Sequence, residues 1–212
     1  GSAELSAADV TALTEQREDL LSRSLLHYQT PLTLSPNNAI LWNELAQLYA
    51  IDLADDLRFQ ETISRSLAVD PAFDQTWMLL GDVRASKGDI DGATEAYLRS
   101  LEIRDNCTVR RVVGTLWAQQ GKGQAASDFL AEAVARQGCL RSTELWELYR
   151  VLSIALANQS RLPEALEAAL AAQDLAPQDQ QAIVQDLIGQ LQEQMTPGAS
   201  GSVTPTNEAD TP

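Results

Sequence analysis

Histidine and cysteine are almost missing from this chain of 212 residues: His27 stands alone, and Cys107 and Cys139 are the only thiols. One imidazole excludes metal sites and proton relays that need two, and beside Tyr28, with no cysteine near it, His27 reads as an ordinary helix position. Basic residues are scarce too. Fifteen Lys and Arg face thirty Asp and Glu, a net charge of -15, and none of the fifteen stands beyond Arg161. A surface that binds nucleic acid or anionic lipid would have to overcome that repulsion, so neither is an expected partner. The acid excess reads as a solvated outer face. No apolar run reaches the ~18 to 20 residues of a membrane span, and no secretory leader is recognisable. A phosphate loop is absent as well, because Gly121-Lys122-Gly123 has neither the preceding strand nor the spacing that such a loop requires. No catalytic residue, cofactor or metal is expected, and the chain does not read as an enzyme.

What the chain does have is 44% apolar residues, enough to bury a substantial core, with only 5% aromatics. The aromatics fall in a pattern. In the stretch from Trp77 to Asp105, Leu80 and Gly81 follow Trp77 by three and four positions, Gly88 comes seven after Gly81, and then Ala93, Tyr97 and Ser100 stand four and three apart. That is helical spacing on both sides of a glycine break. Small residues at Gly81, Ala93 and Ser100 let two antiparallel helices approach, while Trp77, Leu80, Tyr97 and Leu101 fill the gaps around them.

This segment resembles a tetratricopeptide repeat, matching its pattern at Trp77, Leu80, Gly81, Gly88, Ala93 and Tyr97. It departs at Arg84, Ser100 and Asp105, where the pattern has Tyr, Ala and Pro. The landmarks recur. Trp42, Leu45, Ala46 and Tyr49 stand 35 residues earlier or nearly so, followed by Phe59, Ile63, Ser66 and Leu67, closing at Asp70-Pro71. This unit runs one residue long and lacks the turn glycine, so an altered hairpin turn is expected at 52–56. Gly114, Gly121, Ala126 and Leu130 lie 33 residues after their counterparts, with Trp117 in the slot of Tyr. A further 39 residues on, Ala165, Ala169 and Ala172 repeat the small-residue stripe, and a long first helix is expected from about Thr143 to Asn158.

The fold expected from this resemblance is an all-α, right-handed α-solenoid of tetratricopeptide helix hairpins with a C-terminal capping helix. Residues 1–8 read as a tag scar and disordered lead of a fragment cut from a longer protein. Residues 9–36 read as an N-terminal helix, the second half of a partial repeat that Pro31 should kink or end early. Four hairpins cover 37–177. A capping helix at 178–195 carries the stripe Ile183, Val184, Leu187, Ile188 and Leu191, and a disordered tail fills 196–212. The two cysteines fall in consecutive loops of the repeat register, and free thiols are the expected state; a bond would imply an oxidising compartment.

The resemblance further implies a non-catalytic interaction module that binds a peptide or a partner surface in a concave groove lined by the first helix of each repeat. Carried over position by position, the groove would be Asn43 and Gln47, then Gln75, Met78 and Asp82, then Thr108, Arg111, Thr115 and Gln119, and last Glu147, Arg150 and Asn158. Amides and hydroxyls there could bond peptide backbone or sugar hydroxyls, and the arginines could grip carboxylates. The same positions also fit plain solvated helix faces. No lysine is expected in the groove, which sets this chain apart from family members that clamp acidic chaperone tails. A second resemblance covers SPNNAILWNELAQLY and DPAFDQTWMLLGD, which are similar to the repeat region after the membrane part of bacterial O-antigen ligase or polymerase-like proteins. It implies an accessory domain outside the cytoplasm with a possible glycan partner; otherwise a cytoplasmic setting is expected. Aromatic rings in the groove would favour the glycan, and the register puts Trp42, Trp77, Tyr97 and Trp117 between helices instead.

Overall fold

A computed structural model describes residues 7–135 and 142–196 of the chain. Among the described residues every regular element is helical. They are α1 (Ala7–Leu34), α2 (Ala39–Gln47) running on into a π-helical turn (Leu48–Asp52), α3 (Asp56–Val69), α4 (Asp74–Ser86), α5 (Ile90–Ile103), α6 (Cys107–Gln119), α7 (Gly123–Ala135), α8 (Ser142–Ala157), α9 (Leu162–Leu175) and α10 (Gln181–Met195). The chain divides into two compact units, with the boundary along the sequence between Val109 and Arg110. The lead before Ala7, residue Cys139 and the tail beyond Thr196 lie outside the described residues.

In the first unit, α2 pairs with α3 and α4 with α5. Asn38, Asp55 and Asp89 start α2, α3 and α5, each accepting a backbone N–H three residues on at 3.0–3.1 Å, which satisfies a donor that the first helical turn leaves open. The paired helices meet where one partner is small. A Cβ built on Gly81 would lie 2.6 Å from the ring of Tyr97, so only glycine lets α4 and α5 close to this separation. The core of the unit gathers Leu32, Leu45, Ala46, Tyr49, Phe59, Ile63, Leu79, Leu80 and Ala96.

The long first repeat is absorbed by the π-helical turn. A π-turn takes one more residue per hydrogen-bonded loop than an α-turn, so the surplus residue is accommodated without breaking the helix. The missing turn glycine is replaced by Ala54, whose φ of 50° occupies the left-handed position that Gly88 takes at 80° in the next hairpin. Two tryptophans have a role that the helical spacing did not reveal. The indole N–H of Trp42 donates to the carbonyl of Pro36 at 2.7 Å, and that of Trp77 to Pro71 at 2.9 Å, so each ring anchors the loop leading into its own helix. Pro31 does not end α1 early: the helix carries on one more turn to Leu34.

In the second unit α6 meets α7 at Gly114, where a Cβ would lie 2.5 Å from Leu130, and Trp117 packs on Phe129 with ring centroids 5.0 Å apart. Helix α9 packs on α8 through Ala165, Ala168, Ala169 and Ala172, all buried. Ser153 stands where the earlier repeats have Gly81 and Gly114, and its hydroxyl donates to the carbonyl of Ala165 at 2.8 Å. The turn glycine is Gly121 at φ 73° between α6 and α7, and its counterpart between α8 and α9 is Ser160 at φ 60°. Helix α10 buries Val184, Ile188 and Leu191 and turns Gln and Asp side chains outward. Ile183 is an exception to the expected stripe: it is 53% exposed.

Candidate binding surface

Helices α2 and α4 are the first helices of successive hairpins. Asn43 and Gln47 are four residues apart on α2, and Gln75, Met78 and Asp82 follow three and four apart on α4, so each set lies along one helix face. These five residues line a single hollow of about 440 Å³. Its floor is aliphatic, with Met78, Leu79 and Val83 from α4 and Ala50 and Ile51 from the π-helical turn. Ile51 is 65% exposed, the most open of these apolar side chains.

Of the polar groups of the hollow, only Asp56 and Asp82 are acceptors alone; the amides and Ser86 can accept or donate. Asn43 is 7% exposed, and its Oδ1 is buried without a hydrogen-bond partner among the described residues. Asp82 accepts the hydroxyl proton of Tyr97 at 2.6 Å. Burial raises the Tyr97 phenol well above its ordinary range, and the bond to the Asp82 carboxylate raises it further, so Tyr97 keeps the proton that it donates in this bond. A lysine does reach this surface, against expectation. Lys87, at the C-terminal end of α4, lines the hollow and is ion-paired with Asp56 at 2.5 Å. Ile51, Asp56 and Lys87 were not foreseen as lining residues because they belong to helix ends and turns, outside the helical positions of the repeat pattern.

The remaining candidates are arranged differently. Thr108 is half-buried in the first turn of α6, where its backbone N–H donates to Asn106. In the second unit Arg111 and Glu147 pair with each other at 2.7 Å, both about two-thirds buried, so the guanidinium is already occupied by a carboxylate of its own chain. The Thr115 hydroxyl donates to the carbonyl of Arg111. Arg150 lies 6.0 Å from the ring centroid of Trp146, and its buried Nε has no acceptor. Gln119 and Asn158 are exposed.

A larger hollow, about 690 Å³, opens between α1, α2 and α3 and is lined by Trp42, Tyr49, Arg58, Glu61 and Arg65 among others. Its polar groups are engaged with one another. Tyr49 accepts from Gln29 and Arg58, Arg65 pairs with Glu61 and stacks over Trp42, and the Trp42 N–H is bonded to Pro36. Cys107, expected to be free, is disulfide-bonded, and the second cysteine lies outside the described residues. Among the described residues no helix is long and apolar enough to cross a membrane, and no group of three His, Cys, Asp or Glu could hold a metal ion.

No family model and no curated protein matches the chain. Solved structures do. YrrB, described as a TPR protein with an unusual peptide-binding site, aligns with a TM-score of 0.63 at 18% identity over 79% of this chain and 82% of its own. MamA aligns at 0.61 and 14% identity, covering 81% of this chain and 95% of that one. BtubC from P. vanneervenii aligns at 0.68 and 16% identity, covering 84% and 83%. At these identities the likeness establishes the fold: an all-α helical solenoid of the tetratricopeptide type. None of these neighbours carries the O-antigen ligase resemblance further.

Proposed function

Taking the tetratricopeptide fold as premise, we propose that the chain is a non-catalytic interaction module that binds an extended polypeptide segment of a partner protein in the hollow between α2 and α4. One observation carries the reading: five positions chosen from the repeat register alone line one cavity, and two of them, Gln47 and Gln75, hold exposed amides on it. Such amides can pair with the N–H and C=O groups of a peptide backbone, and the aliphatic floor offers a seat for one side chain. The glycan alternative has less support, since no aromatic ring lines this hollow for a sugar to stack on. The disulfide at Cys107 supports an oxidising setting for the protein.

The test is to pan a phage-displayed library of random dodecapeptides on the immobilised chain, resynthesise the enriched sequences and measure their affinity by calorimetry. Gln75→Ala is expected to weaken binding by about tenfold, the value of a hydrogen bond of ~1.4 kcal/mol. It should leave the melting temperature unchanged, because the side chain is exposed. Enriched peptides that bind Gln47→Ala and Gln75→Ala as well as the wild type would contradict the proposal.

A further inference from the structure

The charge of the α2–α4 hollow is one-sided, and this narrows what can fill it. Asp82 is exposed, and the neutral hydroxyl of Tyr97 donates to it. Gln47 and Gln75 can accept or donate. The cation on the rim, Lys87, forms an exposed ion pair with Asp56, so the lining residues carry two carboxylates against one ammonium. A partner carboxylate arriving here would meet that net negative charge and have to compete with Asp56 for Lys87, whereas an ammonium or guanidinium would gain a charge-assisted bond to Asp82. Between these groups the floor of Ala50, Ile51, Met78, Leu79 and Val83 is purely aliphatic.

Resting on the peptide-binding reading above, we infer that this hollow selects segments in which an aliphatic side chain, seated on the floor, lies next to a lysine or arginine that reaches Asp82. Its chemistry is the reverse of a groove that grips acidic tails. The carboxylates fix charge and the floor fixes size, so specificity arises as much from rejecting acidic neighbours as from attracting basic ones.

The experiment is an array of immobilised dodecapeptides with a central Leu and with Lys, Glu or Ser placed in turn at each flanking position, incubated with the whole chain. Lys-bearing peptides are expected to retain at least about tenfold more protein than their Glu counterparts. Asp82→Asn, which keeps an oxygen for Tyr97 to donate to, should bring the two within about twofold. Glu95→Gln, on the exposed side of α5 and outside the hollow, removes the same amount of charge and should change nothing. Lys-bearing and Glu-bearing peptides bound equally, a preference for Glu, or a Lys preference that survives Asp82→Asn would overturn the inference while leaving peptide binding intact. An array on which no peptide binds would overturn the peptide-binding reading itself.

Discussion

At the scale of single residues, two buried serines in equivalent repeat positions show how context sets the worth of a hydroxyl. Ser66, at the end of α3, donates to the carbonyl of Ala39 at 2.9 Å and shares a 2.8 Å hydroxyl contact with Thr76, so it ties α3 to the starts of both α2 and α4. Ser100, at the same place on α5, is equally buried, yet its Oγ has no partner; Val109 takes the register position of Thr76 and offers no acceptor. Ser66→Ala should therefore cost about 1–3 kcal/mol, since it leaves Thr76 and a carbonyl with lost bonds. Ser100→Ala should be neutral or stabilising, and urea titration of both variants checks the difference. Equal losses would show that the two sites are not distinguished by hydrogen bonding. From the sequence both residues read only as members of a small-residue stripe. Size is visible in a one-letter code, but whether a hydroxyl will find its partner depends on what a neighbouring repeat supplies.

At the scale of helices, the hairpins rest on close approach. Gly81 under Tyr97 and Gly114 under Leu130 leave no room for a Cβ, while Gly189, in the middle of α10, has nothing within 4 Å of where one would go. Gly81→Ala is expected to destabilise by about 1–3 kcal/mol through overpacking. Gly189→Ala should stabilise by up to about 1 kcal/mol, because alanine is the better helix former and meets no obstacle. Thermal melts of the two variants moving in the same direction would contradict the packing assignment. Most of this architecture was legible in the sequence. The alternation of Gly or Ala with Tyr or Leu at helical spacing encodes helix pairs directly, and even the long α8, expected over about 143–158, spans Ser142–Ala157. The exceptions have physical causes. The altered turn expected at 52–56 is there, with Ala54 left-handed in place of glycine, but the surplus residue sits just before it in the π-turn, and Ser160 takes a left-handed turn position that no glycine marked. Of the two outcomes expected at Pro31, a kink or an early end, the early end does not occur, because α1 continues past it to Leu34.

At the scale of the whole molecule, the balance of charge and the repeat fold point the same way. A chain of net charge -15 draws cationic partners and repels polyanions over a distance of about 10 Å at 0.1 M salt, which favours encounter with basic segments before any specific contact forms. The candidate surface was partly legible. Its first five residues follow from helical register. The engagement of Arg111 with Glu147, and of Lys87 with Asp56, was not readable, because ion pairs between different elements depend on side-chain reach across a fold and leave no spacing signature. The central claim, that the hollow between the first helices of the first unit is where a partner binds, is tested most directly by nuclear magnetic resonance. An isotope-labelled sample of the whole chain is titrated with a dodecapeptide selected from the phage library, and the shifted amides are mapped. The account predicts the largest shifts at Asn43, Gln47, Gln75, Met78 and Asp82 and along the 50–51 turn. Shifts concentrated instead on Arg58, Glu61 and Arg65, or confined to the second unit, would contradict it.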